Sequence, residues 1–169
     1  GCLALGNTVK GISGITREVR RYCKKPLIVK LTPNVTDISE IARAAEINGA
    51  DAISLINTIT GMAIDVHKKK PILANNFGGL SGPAVKPIAV KMTYDVAQTV
   101  KIPVIGMGGI SSGEDAIEFI LAGACAVMVG TWNFVYPDAC VKVLEGIIKY
   151  LGIYNHKSVY DLVGKLELN

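Results

Sequence analysis

Four short runs of apolar, strand-forming residues, separated by helical patterns, constrain the fold of this 169-residue chain most strongly. The runs cover residues 27–31, 52–56, 103–107 and 126–129. None of them alternates cleanly between polar and apolar residues, which is typical of strands that are buried on both faces of a parallel sheet. The sequence therefore predicts an α/β fold made of βα units in series, with right-handed crossovers.

Helix signals fill the segments around the four predicted strands. The pattern predicts helices over about 8–24, 36–48, 83–100, 112–122 and 138–151. Thr36 and Ser112 are the expected N-caps of two of these helices, since short polar side chains accept hydrogen bonds from first-turn amides. Gly49 and Gly123 follow as stop signals.

Two arrangements of parallel βα units compete, a (β/α)₈ barrel and an open doubly wound sheet. Function-like residues follow every predicted strand, which favours the barrel, because an open sheet concentrates its site at one switch point. A full barrel takes about 250 residues. We therefore predict that residues 1–169 are the C-terminal half, about strands five to eight, of a single barrel domain. We expect the N-terminal half upstream or in another chain, because four units alone would leave two open edges.

The ends of the predicted strands supply the candidate site, because barrel enzymes bind their ligands there. Gly108-Gly109 and Gly130-Thr131 follow the last two strands, where barrels often bind phosphate through backbone N–H groups. Glycine lets the backbone approach a phosphate closely. Ordinary tight turns are the alternative for either glycine site alone, and the occurrence of both on consecutive units favours phosphate binding.

Polar side chains follow the first two predicted strands. Lys30 lies at the end of an apolar strand, so it needs either an anionic partner, such as a cofactor, or a head group that reaches water. Asn57 and Thr58 follow the second strand and offer an amide and a hydroxyl to a planar, imide-like ligand. Capping of a turn or helix is the alternative role for these two residues.

The segment 59–83 is far longer than a usual βα loop of about 2–6 residues. Within it, residues 71–74 are predicted as an extra strand and residues 78–82 as a flexible, ligand-approaching loop. Lys68, Lys69 and Lys70 form a run of three basic residues, which predicts a solvated loop or hairpin tip, with a contact to a charged partner or a phosphate as the alternative. Such long segments at the active face act as lids, ligand clamps or subunit contacts.

Composition narrows the class of protein. The net charge of +4 is dispersed and aromatic residues make up 6%, so nucleic-acid binding has little support. No apolar run reaches the roughly 18 residues of a membrane span, and no secretory signal begins the sequence. Four scattered cysteines suggest reduced thiols in a cytoplasmic protein, and their spacing predicts no metal site.

Several motifs, in their order and spacing, resemble the class 1 dihydroorotate dehydrogenases, nearest the NAD-linked (1B) catalytic subunit. The most specific of them are Val29-Lys30-Leu31-Thr32-Pro33-Asn34, Leu55-Ile56-Asn57-Thr58, Gly78-Gly79-Leu80-Ser81-Gly82-Pro83-Ala84, Gly106-Met107-Gly108-Gly109-Ile110 and Val129-Gly130-Thr131. The resemblance covers essentially the whole chain. It implies an FMN enzyme of pyrimidine biosynthesis that oxidises dihydroorotate to orotate.

The resemblance also implies roles for nine residues. Lys30 contacts the flavin ring, and Ile56 and Gly82 line the FMN site. The FMN phosphate is held by Gly108, Gly109, Gly130 and Thr131. The orotate ring is bound by Asn57 and Thr58. A homo-oligomer, and a partner subunit that carries FAD and an iron–sulfur cluster, are further expectations.

One departure from the family pattern concerns the general base. The family places a cysteine in an Asn-x-Ser-Cys-Pro-Asn loop, which this sequence lacks and which we expect upstream of Gly1. Cys2 is therefore not the expected base, no catalytic residue is assigned here, and the chain alone is predicted to be inactive. The alternatives are a related flavin barrel, such as the pyrimidine-reducing domain of dihydropyrimidine dehydrogenase, and a non-catalytic half-barrel scaffold.

Overall fold

A central sheet of four parallel strands and a pair of small hairpins make up the β-structure of the protein, whose computed structural model describes residues 5–169. The strands are β1 (Ile28–Lys30), β2 (Ala52–Leu55), β3 (Ile59–Gly61), β4 (Ile64–Asp65), β5 (Lys70–Pro71), β6 (Gly78–Leu80), β7 (Val104–Met107) and β8 (Ala126–Met128). The central sheet has the order β1-β2-β7-β8, with every pair parallel. This order runs along the chain without reversal, as in a barrel and unlike a doubly wound sheet.

Helices cover one face of the sheet. They are α1 (Val9–Tyr22), α2 (Ile38–Ile47), α3 (Lys86–Thr99), α4 (Gly113–Leu121), the short α5 (Trp132–Val135) and α6 (Ala139–Ile153). Each of the long helices packs against the next in the series α1, α2, α3, α4 and α6. Three single 3₁₀ turns, Leu5–Asn7, Pro83–Val85 and Val159–Asp161, complete the regular structure. This is the layer arrangement of half a (β/α)₈ barrel, which confirms the predicted fold class.

The two faces of the sheet differ in burial. On the outer face Ile53, Leu55 and Val104 lie in the hydrophobic core beneath the helices. On the inner face of the two edge strands, Ile28 is 52% exposed and Met128 is 51% exposed. Burial on both faces is thus confirmed for β2 and nearly so for β7. It is wrong for β1 and β8, because within residues 5–169 no strand pairs with their outer edges.

The predicted helix starts are correct in two cases and wrong by one residue in a third. Thr8 caps α1, and Ser112 caps α4 in a capping box with Asp115. The expected cap Thr36 is wrong. Asp37 caps α2 instead, its carboxylate accepting from the N–H groups of Ser39 at 2.8 Å and Glu40 at 3.3 Å. One carboxylate oxygen thus satisfies two first-turn donors, and its charge suits the positive end of the helix.

Residues 59–80 form two nested antiparallel hairpins that we call the insertion. Strand β3 pairs with β6, and β4 pairs with β5 inside them. Lys68 and Lys69 lie in the exposed turn of the inner hairpin, which confirms the predicted solvated tip. The strand expected over 71–74 is confirmed at Pro71 and is wrong for residues 72–74, because β5 ends at Pro71 and only one further backbone bond follows, from the Ile72 N–H to the Ala63 carbonyl oxygen at 2.9 Å. The loop expected over 78–82 is also wrong in part, because residues 78–80 pair as β6.

Candidate functional site

A cleft of about 210 Å³ lies at the carboxyl ends of the four central strands. All nine residues selected from the sequence line it: Lys30, Ile56, Asn57, Thr58, Gly82, Gly108, Gly109, Gly130 and Thr131. Leu80, Ser81 and Trp132 line it too and were not selected from the sequence. The carboxyl ends of parallel strands meet at one edge of the sheet, which explains why residues a hundred positions apart converge here.

Lys30 brings a positive charge to the cleft from the end of β1. Its side chain is exposed, and it forms no ion pair or hydrogen bond with any of residues 5–169. The ammonium group is therefore solvated in this half of the barrel, as expected for a lysine with a packed stem and a free head. It remains available to an anionic ligand in the cleft.

Asn57 and Thr58 follow β2 directly, and both side chains are exposed in the cleft. The Leu55–Ile56 peptide bond just before them is cis. Asn57 Oδ1 accepts a hydrogen bond from the Thr58 N–H at 2.8 Å. Its Nδ2 group has no partner within the described chain, so Asn57 offers a hydrogen-bond donor to the cleft. The bond that Oδ1 accepts from Thr58 fixes the plane of the side-chain amide.

The glycines after β7 are required by the fold itself. Gly108 and Gly109 have φ values of 128° and 79°, which side-chain-bearing residues rarely adopt. A Cβ on Gly108 would lie 2.9 Å from Ala89 Cβ, and one on Gly109 would lie 2.8 Å from the Gly82 carbonyl oxygen. A tight turn therefore accounts for both glycines without any ligand.

Gly130, after β8, is different. Its φ is not positive, and a Cβ there would meet no atom within 4 Å. The N–H groups of Gly109, Gly130 and Thr131 donate to no acceptor among residues 5–169. Converging free N–H groups beside an open glycine are what an anion-binding loop requires.

An ion-pair network lies behind the loop 108–112. Lys86 Nζ donates to Asp115 Oδ1 and Glu118 Oε1, both at 2.5 Å. Asp115 Oδ2 accepts from the Ser111 N–H at 2.8 Å, the Ser111 hydroxyl at 2.7 Å and the Ser112 N–H at 2.9 Å. The network clamps the loop to the first turns of α3 and α4. It also occupies the two serine amides, so the N–H groups that remain free are those nearer the strands.

The charge state of Asp115 depends on this network. Burial raises its pKa, but the hydrogen bonds from Lys86 and Ser111 outweigh burial and lower the pKa to about 2. The Asp115 side chain is 12% exposed, so solvent screens these interactions little. A carboxylate whose pKa is lower in the folded than in the unfolded chain stabilises the fold above the unfolded value, and that contribution is lost as pH falls.

We expect Asp115→Asn to lower the free energy of unfolding at pH 7 by about 2 kcal/mol. Denaturant titrations of wild type between pH 7 and pH 2 should show the Asp115 contribution disappearing between about pH 4 and pH 2. The matched control is Asp95→Asn, which breaks the exposed pair with Lys91 and should cost under about 0.5 kcal/mol. Equal losses in both variants would contradict a special role for Asp115.

Within the described part of the chain, no helix is both long and apolar enough to cross a membrane. The same residues contain no group of three or more His, Cys, Asp or Glu side chains placed to hold a metal ion. The expected position of the general base, and the assignment of Cys2, lie outside the described residues.

Comparison with known proteins supplies a family. The family model described as dihydroorotate dehydrogenase matches residues 3–151. The chain is 57% identical over 166 residues to the "Dihydroorotate dehydrogenase B (NAD(+)), catalytic subunit" of Alkaliphilus oremlandii, and 56% identical over 168 residues to that of Bacteroides fragilis. These matches cover 98% and 99% of this chain but only 55% of each relative. The chain thus spans about half the length of the curated relatives it matches.

A solved structure supports the same relationship in three dimensions. The structure described as DHODH in complex with ferulenol, from Eimeria tenella, superposes with a TM-score of 0.76 at 26% sequence identity. The superposition covers 94% of this chain and 49% of that one. Half of the other chain therefore has no counterpart in these residues.

Proposed function

The chain belongs to the dihydroorotate dehydrogenase family, and we propose that it is the half-barrel that binds FMN and substrate in an enzyme oxidising dihydroorotate to orotate. The observation that carries the proposal is the convergence of all nine selected residues on one cleft at the strand ends. We place the reaction in pyrimidine biosynthesis in the cytoplasm. The complete activity needs the other half of the barrel.

The loops after β7 and β8 fit the phosphate of FMN. The free N–H groups of Gly109, Gly130 and Thr131 would donate to its oxygens, and the open space beside Gly130 leaves room for close approach. The turn at Gly108 brings the first of these amides to the cleft. The phosphate assignment rests on the free amides and on Gly130, since the fold alone explains Gly108 and Gly109.

The flavin ring would lie between the ends of β1 and β2. Lys30 would place an unpaired positive charge beside a ring that accepts electrons, and Ile56 and Gly82 would form the wall beside it. FMN, when bound, supplies the two-electron acceptor that no amino-acid side chain offers. The residues of this chain orient it and set the charge around it.

Asn57 and Thr58 would bind the pyrimidine ring. The free Nδ2 group of Asn57 is a donor, and orotate presents carbonyl and carboxylate oxygens that accept. The Thr58 hydroxyl can donate or accept, which suits the alternating N–H and C=O groups of the ring. The remaining substrate contacts and the general base are assigned to the missing half.

The size of the cleft agrees with a shared site. At about 210 Å³ it is smaller than the roughly 300–1,000 Å³ of typical ligand pockets. The described cysteines, Cys23, Cys125 and Cys140, do not line it. A non-catalytic half-barrel scaffold would also have no base in this cleft. The absence of a described cysteine from the cleft therefore makes the scaffold the second candidate function for the isolated chain.

The curated relatives are named catalytic subunits, which supports a second type of subunit in the complete enzyme. We propose that this partner carries FAD and an iron–sulfur cluster and passes electrons to NAD, and that the complete enzyme is a homo-oligomer of such units. A dihydropyrimidine-oxidising flavin barrel is the rival enzyme.

The test is an anaerobic visible spectrum of the complete subunit before and after dihydroorotate is added. We expect oxidised-flavin absorbance that bleaches on addition. A flavin that stays oxidised with dihydroorotate would favour the rival enzyme, and the absence of flavin would contradict the cofactor assignment. Gly130→Val should fold normally but lose FMN at least tenfold more readily, because its side chain fills the space reserved for the phosphate.

A further inference from the structure

The side-chain amide of Asn34 joins the loop after β1 to the segment after β2. Its Nδ2 donates to the Thr58 carbonyl oxygen at 2.9 Å, and its Oδ1 accepts from the Thr60 N–H at 2.9 Å. A residue on a neighbouring parallel strand would bond the same pair of groups, the C=O of one residue and the N–H two positions later. The amide therefore replaces one rung of a parallel ladder where the regular pairing of β1 and β2 has ended.

The orientation of Asn34 is fixed from the β1 side as well. Thr32 Oγ1 accepts from Asn34 Nδ2 at 3.0 Å and from the Asn34 N–H at 3.2 Å. Both hydrogens of the Nδ2 group are thereby used inside the chain, so Asn34 has no side-chain donor left for a ligand. It also does not line the cleft. Asn34 can therefore affect ligand binding only indirectly, through the residues to which it is hydrogen-bonded.

Thr58 transmits this restraint to Asn57. The Thr58 N–H donates to Asn57 Oδ1 at 2.8 Å, which sets the plane of the amide whose Nδ2 remains free. On its other side, the Thr58 side chain packs against Gly79 of the insertion so closely that a Cβ on Gly79 would overlap it. Thr58 is thus held between Asn34 and β6.

We propose that Asn34 is a positioning residue for the substrate site: it holds Thr58, and through it Asn57, in the geometry that binds the pyrimidine ring. The inference rests on the proposed function, because that function assigns Asn57 and Thr58 to the substrate. FMN retention should be independent of Asn34, because the FMN phosphate is assigned to the loops after β7 and β8 and Asn34 forms no hydrogen bond with Lys30, Ile56 or Gly82.

Two substitutions of Asn34 distinguish the hydrogen bond to the Thr58 carbonyl from the hydrogen bond to the Thr60 N–H. Asn34→Ala removes all of the side-chain hydrogen bonds. Asn34→Asp keeps an acceptor for the Thr60 N–H but turns a second oxygen toward the Thr58 carbonyl, where two acceptors repel. Asn48→Ala is the matched control. Asn48 also makes two side-chain bonds, to the Ala44 carbonyl at 2.8 Å and from Arg17 Nε at 3.2 Å, but at the opposite end of the barrel.

The experiment measures the orotate Kd of the complete, FMN-loaded subunit from the change that orotate causes in the flavin spectrum. We expect orotate to bind about tenfold more weakly to Asn34→Ala, and at least as weakly to Asn34→Asp. The FMN content of both variants should equal that of wild type. Asn48→Ala should lower thermal stability but leave the orotate Kd unchanged.

Hydrogen exchange of the Thr60 amide tests the geometry without any ligand. We expect faster exchange in Asn34→Ala and wild-type exchange in Asn48→Ala. Unchanged Thr60 exchange, or wild-type orotate affinity in both Asn34 variants, would overturn the inference. If wild type itself failed to bind orotate, the substrate assignment would be wrong, and the Thr60 exchange would still decide whether Asn34 holds the segment.

Discussion

A protein made of these 169 residues alone is expected to form no orotate from dihydroorotate, whereas the same residues joined to an N-terminal half-barrel are expected to turn the substrate over. Hydride transfer requires cofactor and substrate to be held together with water excluded. Here the inner face of the sheet is open, with Ile28 and Met128 about half exposed, and Lys30 in the cleft is exposed to solvent. The proposed general base also belongs to the other half.

The measurement is orotate formation by the purified chain, supplied with FMN and an added artificial electron acceptor that reoxidises the flavin, alone and after co-expression with the N-terminal half of the Alkaliphilus oremlandii relative. Restored turnover should depend on Lys30, so Lys30→Met is the control that we expect to remain inactive in the reconstituted protein. Dihydroorotate-dependent turnover by the isolated residues would refute the proposal that the general base and the rest of the site belong to the N-terminal half.

The second large effect concerns the crossing of α4 and α6, where Gly113 and Gly146 are in backbone contact. A Cβ on Gly146 would lie 2.8 Å from Gly113 Cα, and one on Gly113 would lie 2.5 Å from Gly146 Cα. No side-chain rotation relieves a clash between a Cβ and a backbone, so the two helices would have to separate. We expect Gly146→Ala to lower the free energy of unfolding by about 3 kcal/mol.

Gly152 provides the control within the same helix. A Cβ there would meet no atom within 4 Å. Because alanine favours a helix over glycine by about 1 kcal/mol in a helix interior, Gly152→Ala should stabilise the protein by up to that amount. In urea denaturation of the complete subunit, the midpoint should therefore fall for Gly146→Ala and rise for Gly152→Ala. Shifts of the same sign would contradict the close helix contact.

The sequence predicts the central sheet because the signal is strong where burial is complete. Every residue of β2 is buried, as its apolar run predicts. The same kind of run in β1 and β8 was read as buried on both faces, yet Ile28 and Met128 are exposed. An apolar run reflects how buried a strand is in the complete barrel. It does not indicate whether the strands and helices that would cover it belong to the same chain.

The rule that strand ends carry function predicts seven of the nine site residues, and the family resemblance adds Ile56 and Gly82; all nine line the cleft. The sequence could not show why each position needs its residue. Gly108 and Gly130 are both glycines, but close packing against Ala89 requires glycine at position 108, whereas open space surrounds Gly130. The Lys86–Asp115 pair is separated by 29 positions, and no local pattern links residues so far apart.

Local signals failed where adjacent residues offer the same function. Thr36 and Asp37 are adjacent residues that can both cap a helix, and in the structure the Asp37 carboxylate accepts from two first-turn N–H groups. In the insertion, paired strands of only two or three residues leave no periodicity to detect. Their register depends on contacts such as Thr58 against Gly79, which only the fold brings together.

The unpaired outer edges of β1 and β8 have a consequence for synthesis on the ribosome. In a complete (β/α)₈ barrel the first strand to be made pairs with the eighth, so the ring cannot close until the eighth strand has emerged from the ribosome. During that interval the nascent chain carries open parallel edges and an apolar inner face, both of which promote aggregation. We expect the nascent enzyme to depend on chaperones until β8 emerges, and ribosome profiling of chaperone-bound nascent chains would reveal where that dependence ends.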